Sequence, residues 1–202
     1  MSASNLMVGV LLAGGESRRM GRDKGLLACG TFPTLLHRQY ALLKQLPLDA
    51  IAISRHLHLA TPEDLKPHVV VDRNQTHHDG PLAGLWAAIQ MYPNATALLI
   101  LPVDMPLMTS EHLRHLLNQG DESSRSLYYE SHYFPLYLRL ETDLRCYLQE
   151  QLETATGNRS VHSLLNVAGA QSVPVHSQRA FANTNTESEW RDVIETRKLT
   201  NE

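Results

Sequence analysis

The chain predicts an α/β fold with a mainly parallel sheet flanked by helices, and three observations carry that prediction. Short apolar runs at residues 7–12, 51–53, 69–71 and 97–101 alternate with longer segments of helical periodicity, the pattern of repeated βαβ units. Polar groups suited to ligand contact follow three of those runs: Gly14 and Gly15 after the first, Asp72 after the third and Asp104 after the fourth. In parallel sheets ligands bind there, beyond the carboxyl ends of the strands. Third, the chain has 202 residues, 43% hydrophobic and 19% charged. That suffices for one sizeable core, and residues 1–202 read as a single domain.

Each element has its own signal. Residues 7–12 are almost wholly apolar, as a strand must be when a layer covers each of its faces. Residues 33–46 form the first helix, with Pro33 in the opening turn and Leu35, Leu36, Leu42, Leu43 and Leu46 as its apolar face. Short strands at 51–53 and 69–71 follow. Residues 81–91 open on Pro81 and carry Leu82, Leu85, Trp86 and Ile89 at helical spacing. A fourth strand at 97–101 leads to a helix at 109–118, with Thr109 or Ser110 as its N-cap. The polar stretch 120–126 reads as a loop. Beyond it come strands at 127–129 and 133–138, helices at 142–152 and 161–168, and a strand at 172–175. Thr186-Glu187-Ser188-Glu189 has capping-box spacing and starts a last helix to about residue 196, leaving 199–202 as a frayed end.

Charge and cysteine content exclude several classes. A formal net charge of −3 speaks against a general nucleic-acid binder, which carries a basic surface, yet it allows one local basic pocket. The two cysteines, Cys29 and Cys146, are far apart and in no metal-ligand spacing. Neither a disulfide framework nor a zinc site is expected, and a reducing cytoplasm is. Residues 1–5 have no positive segment, and the apolar run after them is too short for a signal peptide or membrane span. The eleven histidines include His56 and His58, His77 and His78, and His112 and His115, but no three-ligand set with recognised spacing.

The stretch Leu11-Leu12-Ala13-Gly14-Gly15-Glu16-Ser17-Arg18-Arg19-Met20-Gly21-Arg22-Asp23-Lys24 carries most of the chemistry. Glycines permit close backbone approach and free N–H groups, and cations neutralise phosphate charge. Neither G-x-x-x-x-G-K-[ST] nor G-x-G-x-x-G is present. The residues by themselves define an anion-binding turn suited to a nucleoside triphosphate, set against the plainer reading of a basic surface loop. Glycines and cations coincide where the first strand ends, which favours the anion site.

The run Leu12-Ala13-Gly14-Gly15-x-Ser17-x-Arg19-Met20-Gly21-x-Asp23-Lys24 resembles the N-terminal motif of the nucleotidyltransferases, most closely that of the molybdenum cofactor guanylyltransferases. Three later stretches support the likeness in the same order: Asp79-Gly80-Pro81-Leu82-Ala83-Gly84-Leu85, Pro102-Val103-Asp104-Met105-Pro106 and Phe181-Ala182-Asn183-Thr184-Asn185-Thr186. The resemblance spans nearly the whole chain. It implies a Rossmann-like fold of the nucleotide-diphospho-sugar transferase type, with nucleotide bound by the N-terminal half and acceptor by the C-terminal half. It also implies a reaction in which GMP passes from GTP to the phosphate of molybdopterin or Mo-molybdopterin. The products are molybdopterin guanine dinucleotide and pyrophosphate. The acceptor phosphate is the nucleophile, so catalysis needs alignment and charge stabilisation but no serine, cysteine or histidine nucleophile.

The same resemblance assigns roles. Lys24 would offset charge at the α-phosphoryl group and leaving pyrophosphate, and Arg19 would hold the β- and γ-phosphates with its fork of donors. Gly14 and Gly15, with Leu12 and Ala13 beside them, would line the nucleotide. Asp104 would carry Mg²⁺, which takes one or two carboxylates plus phosphate oxygens and waters; the plainer reading, an aspartate capping the following turn, gives way to the resemblance. Asp72 would meet the guanine or ribose edge, and Ser54 stands where such enzymes often have an asparagine near the base. Gly80, Pro81 and Leu82 would close over the base or ribose. On the acceptor side the candidates are His132, Asn183 and Asn185, with Arg159 and Arg179. The stretch Tyr129-Glu130-Ser131-His132-Tyr133-Phe134-Pro135 lacks the glycine of the family pattern.

Two other functions compete. One keeps the chemistry and changes the partners, as cytidylyl transfer to molybdopterin or nucleotidyl transfer to a sugar phosphate. The other is a GTP-binding adaptor in cofactor delivery without catalysis, against which Arg19, Lys24 and Asp104 speak together. A labile product should not diffuse free, so molybdenum-insertion proteins and apo-molybdoenzymes or their chaperones are expected partners. Nucleic acid and membrane are not.

Overall fold

A computed structural model describes residues 5–15, 20–71, 80–154, 156–175, 177–184 and 186–198, the backbone alone for 194–198. The four apolar runs of the first half become β1 (Leu6–Leu12), β2 (Ala50–Arg55), β3 (Val69–Val71) and β4 (Ala95–Pro102), parallel in the order β3-β2-β1-β4. Beyond β4 lie β5 (Leu127–Tyr129), β6 (Leu136–Arg139) and β7 (Gln171–Val173), which complete a seven-stranded sheet of order β3-β2-β1-β4-β6-β5-β7. β6 runs antiparallel to both β4 and β5, whereas β7 is parallel to β5.

Helices cover both faces: α1 (Leu35–Leu43), α2 (Gly80–Met91), α3 (Ser110–Ser123), α4 (Thr142–Glu153), α5 (Val161–Val167) and α6 (Glu187–Lys198). Alternation along the strands divides the core between them. Met7 and Leu11 of β1 join Leu99 and Leu101 of β4 in one layer with Leu36 and Leu43 of α1 and Leu113 and Leu116 of α3. Val8 and Val10 join Leu98 and Ile100 in the other, with Leu82 and Leu85 of α2, Leu144 and Leu148 of α4, and Leu164 of α5. Burial on both faces is why the central strands read as near-continuous apolar runs.

Several boundaries depart from the expectation, each for a local reason. α1 starts at Leu35 because Thr34 takes the N-cap, its Oγ1 accepting from the His37 N–H at 3.3 Å, and Pro33 stays outside. The stretch 120–126 is loop only in its last three residues: α3 continues to Ser123 and ends at Ser124 in the left-handed region, φ 53°. Gly120 permits this, since a Cβ there would lie 2.2 Å from Cδ1 of the buried Tyr137 ring. Glycine thus brings α3 down onto β6. β6 itself begins at Leu136 instead of residue 133, because Pro135 has no N–H for the ladder; the Phe134–Pro135 peptide is cis. The capping box at Thr186 forms: its N–H donates to Glu189 Oε2 at 2.8 Å, and the Glu189 N–H donates to Thr186 Oγ1 at 3.3 Å. The expected frayed end, 199–202, lies outside the described residues. Among the described residues no helix is long and apolar enough to cross a membrane.

Candidate active site

The parallel register brings the ends of three strands to one edge, with those predicted residues that follow them and are described. Leu12 is paired with Ser54 on one side and Pro102 on the other, so β1, β2 and β4 end together. Two backbone bonds extend the alignment: Ala13 N–H to Ser54 O and Val103 N–H to Leu12 O, both 2.9 Å. The chain leaving β1 at Gly14, β2 at Arg55 and β4 at Asp104 therefore emerges side by side at the carboxyl edge.

Lys24 opens a short 3-10 turn, Lys24–Leu26, whose N-cap is Asp23; the carboxylate of Asp23 accepts the Gly25 N–H at 2.9 Å. Lys24 Nζ donates to Asp104 Oδ2 at 3.3 Å, although the two residues lie 80 positions apart. The lysine side chain is 12% exposed and the carboxylate 27%. The pair is thus partly buried at the carboxyl edge of the sheet.

Polar groups inside the core hold the Asp104 segment. Gln39 Nε2 donates to Met105 O at 2.8 Å and Arg38 Nη2 to Met108 O at 2.7 Å, both from α1. From the C-terminal side, the buried Thr184 donates its N–H to Asp104 O at 3.1 Å. The neighbouring Asn183 is exposed beside it. Arg22 donates to Glu187 of α6 at 2.5 Å, and Trp190 packs with Leu27, Cys29 and Leu35. The C-terminal segment is thus fastened to both the Lys24 turn and the Asp104 turn.

The individual candidates fall into distinct settings. Gly15 is exposed, with nothing within 4 Å of where a Cβ would stand, so its backbone is open to a ligand. Gly14 is flanked by the His56 ring, 3.5 Å from its Cβ position. Gly80, at φ +58°, and the half-buried Pro81 begin α2 at the same edge. Three further candidates have buried side chains, so any contact they make with a ligand would be through the backbone. Ala13 is 3% exposed, its N–H bonds Ser54 and its carbonyl is taken by Arg55. Leu82 is wholly buried in the core under α2. Ser54 is 5% exposed and covered by α2. Burial of an alanine or leucine side chain follows from apolar packing, and Ser54 is sealed by the close approach of Gly84.

Gly84 would carry a Cβ 2.2 Å from Ser54 Oγ, 2.9 Å from Ser54 Cβ and 3.1 Å from Leu12 Cδ2. Gly84→Ala is expected to cost about 1–3 kcal/mol through overpacking, which lowers the melting temperature by about 2–4 °C per kcal/mol in a chain of this size. Adding Ser54→Gly should recover most of the loss, because both crowding serine atoms go. Thermal melts of the single and double variants check this; an unaltered melt for Gly84→Ala would refute the close seating of α2.

His132 stacks on Phe181, with ring centroids 4.4 Å apart at 21°, and bonds Gln178 Oε1 at 3.1 Å. Phe181 also meets Tyr129 and His112 edge-on. Tyr129 donates to His112 O at 2.8 Å, and burial, with the charge of Glu111 adding to it, pushes its phenol up to about 12. It therefore stays a neutral donor through the physiological range. Since 181–184 is one short stretch, this aromatic cluster adjoins the Asp104 turn. Arg179 is exposed on the same segment, while Arg159 lies before α5. Arg19, Asp72 and Asn185, and likewise His77 and His78, lie outside the described residues.

A magnesium ion can be tested against this donor set. Among the described residues no three His, Cys, Asp or Glu side chains gather as a metal cage. Asp104 offers one accessible carboxylate, which fits an ion that completes its shell with phosphate oxygens and water.

Sequence reasoning missed Arg55, Arg38, Gln39 and Thr184. Arg38 and Gln39 were detectable, since they fall at helical spacing between Leu35 and Leu42 on the apolar face. Arg55 gave no such signal, because a charge at a strand end normally faces water.

A parallel sheet that gathers a glycine turn, a lysine and an aspartate at its carboxyl edge is the scaffold of the nucleotidyltransferase class. Solved structures share the fold. A nucleotidyl transferase from Methanothermobacter thermautotroptrophicus matches with a TM-score of 0.74 at 18% identity, covering 98% of this chain and 100% of that one. Molybdopterin-guanine dinucleotide biosynthesis protein A from Archaeoglobus fulgidus matches with a TM-score of 0.72 at 18% identity, covering 96% and 100%. The chain belongs to the MobA-like NTP transferase domain family, whose model matches residues 9–175. It is 34% identical over 197 residues to the molybdenum cofactor guanylyltransferase of Xanthomonas euvesicatoria pv. vesicatoria (strain 85-10), covering 96% of this chain and 97% of that protein. It is 30% identical to a probable molybdenum cofactor guanylyltransferase of Mycobacterium avium (strain 104), covering 98% and 100%.

Proposed function

We propose that this chain transfers GMP from GTP to the terminal phosphate of molybdopterin or Mo-molybdopterin, releasing pyrophosphate. The observation that carries the reading is the Lys24–Asp104 pair, 3.3 Å apart beside the Gly14-Gly15 turn, in a chain matching relatives of that name over nearly their whole length.

The chemistry asks little covalent work of the protein. An acceptor phosphate oxygen attacks the α-phosphorus in line, and the bond from the α-phosphorus to the bridging oxygen of the β-phosphate breaks. Negative charge grows on that bridging oxygen, and a preorganised cation at a half-dry edge stabilises it. Lys24 is that cation. The open backbone at Gly15 and the first turn of α2 add donors for phosphate and ribose. Arg19 is assigned to the β- and γ-phosphates and Asp72 to the nucleoside, by their place in the motifs. Asp104 would hold Mg²⁺, which supplies charge neutralisation of the phosphate oxygens when bound. Asn183, Asn185 and His132 are the acceptor candidates. Delivery partners are expected on the acceptor side.

Two measurements test the reading. Pyrophosphate release from GTP and Mg²⁺ should depend on added molybdopterin; release that never responds to the acceptor rejects the assignment, and no release at all leaves a binding adaptor. In a panel of four triphosphates with Mg²⁺, GTP should raise the melting temperature most. Saturation at 100 times Kd corresponds to about 2.7 kcal/mol. Selective stabilisation by CTP would transfer the assignment to a cytidylyl donor.

A further inference from the structure

We propose that Arg55 is the positioning residue of this site: its buried guanidinium ties together both ends of the glycine loop and so holds Lys24 against Asp104. This role rests on the nucleotidyl-transfer reading above. Arg55 ends β2 and is 1% exposed. Nη1 donates to Ala13 O at 3.0 Å, where the loop leaves β1. Nη2 donates to the Asp23 carboxylate, where the loop returns. The group is braced from behind: Nε and Nη2 reach Ala60 O at 3.1 and 2.6 Å, and Nε reaches Thr61 Oγ1 at 3.2 Å.

Asp23 passes the constraint on. Its second oxygen accepts the Gly25 N–H at 2.9 Å and so caps the turn that begins with Lys24. Gly25 is buried, and a Cβ there would stand 3.0 Å from Arg55 Nη1, so the turn lies directly against the guanidinium. A planar group with five donors can serve Ala13, Asp23, Ala60 and Thr61 together. A lysine ammonium, with three donors at one point, cannot. Arg55 needs no contact with substrate. It acts through the location of Lys24 Nζ, and a misplacement of about 1 Å in such a group can cost about 100-fold in rate.

The test combines Arg55→Lys and Asp23→Asn with Lys24→Ala in the full chain. It reads kcat for GTP-dependent pyrophosphate release with molybdopterin, the melting temperature and the crystallographic Lys24 Nζ to Asp104 Oδ2 separation. Arg55→Lys should lower kcat at least about tenfold and lengthen that separation. In the Lys24→Ala background it should have less than about a twofold further effect, because its route to the chemistry is gone. Equal losses in both backgrounds would mean a purely structural role and overturn the proposal. So would a folded Arg55→Lys with parental kcat. If Arg55→Lys does not fold, Asp23→Asn decides in its place, and parental kcat there overturns it. If the parent releases no pyrophosphate, nucleotidyl transfer has failed by itself. The separation then decides the positioning role, and an unchanged value in the variants refutes it.

Discussion

Lys24→Ala is expected to lower the turnover of guanylyl transfer by about 100- to 1,000-fold, the loss typical of removing one preorganised charge stabiliser. The fold should hardly notice. Lys24 and Asp104 form a pair with 12% and 27% side-chain exposure, so the carboxylate left behind stays in reach of water and the loss in stability stays small. Charge at the bridging oxygen is greater in the transition state than in bound GTP, so kcat should fall by more than KM for GTP rises. Lys24→Arg should rescue only in part, because a planar fork on a longer stem cannot put its charge where the compact ammonium sits. Steady-state pyrophosphate release with parallel thermal melts checks this. A folded Lys24→Ala with parental kcat would remove this lysine from the chemistry.

Asp104→Asn should cause a comparable loss of turnover and, unlike Lys24→Ala, should also erase the Mg²⁺-dependent part of stabilisation by GTP. Asparagine keeps the volume and loses the charge, and a neutral amide oxygen is a poor substitute for a carboxylate as a ligand to a hard cation. The segment should stay in place, since Gln39, Arg38 and Thr184 grip its backbone and not its carboxylate. Melting curves with GTP, with and without Mg²⁺, give the readout. A Mg²⁺-dependent shift equal to the parent's would place the ion on other groups.

How much of this was legible beforehand differs between the layers of the fold. The four parallel strands were visible because burial on both faces demands unbroken apolar runs. Polar residues hid some of their ends, however: β2 runs on through Ser54 to Arg55 and β4 starts at Ala95. α2, α4 and the capping box of α6 were legible for the same local reasons. The end of α3 was not. Gly120 looks like a breaker until the Tyr137 ring lies over it, with Cδ1 2.2 Å from the position of its Cβ. Ser54, Ala13 and Leu82 were correctly located at strand ends or at the start of α2. Their side chains face the protein, however, and motif order says nothing about that direction.

The sequence by itself determined which residues could meet at the carboxyl edge. Lys24 and Asp104 follow apolar strands, and βαβ topology leaves such positions on one side of the sheet. Only the tertiary structure decided how they are held there. The clamp of Arg55 on Ala13 spans 42 positions, and the Lys24–Asp104 pair spans 80. Apolar periodicity reports the burial of neighbouring side chains along one element. A buried guanidinium instead has to find its acceptors on other segments, and which carbonyl and carboxylate it finds is set by the packing of the whole chain.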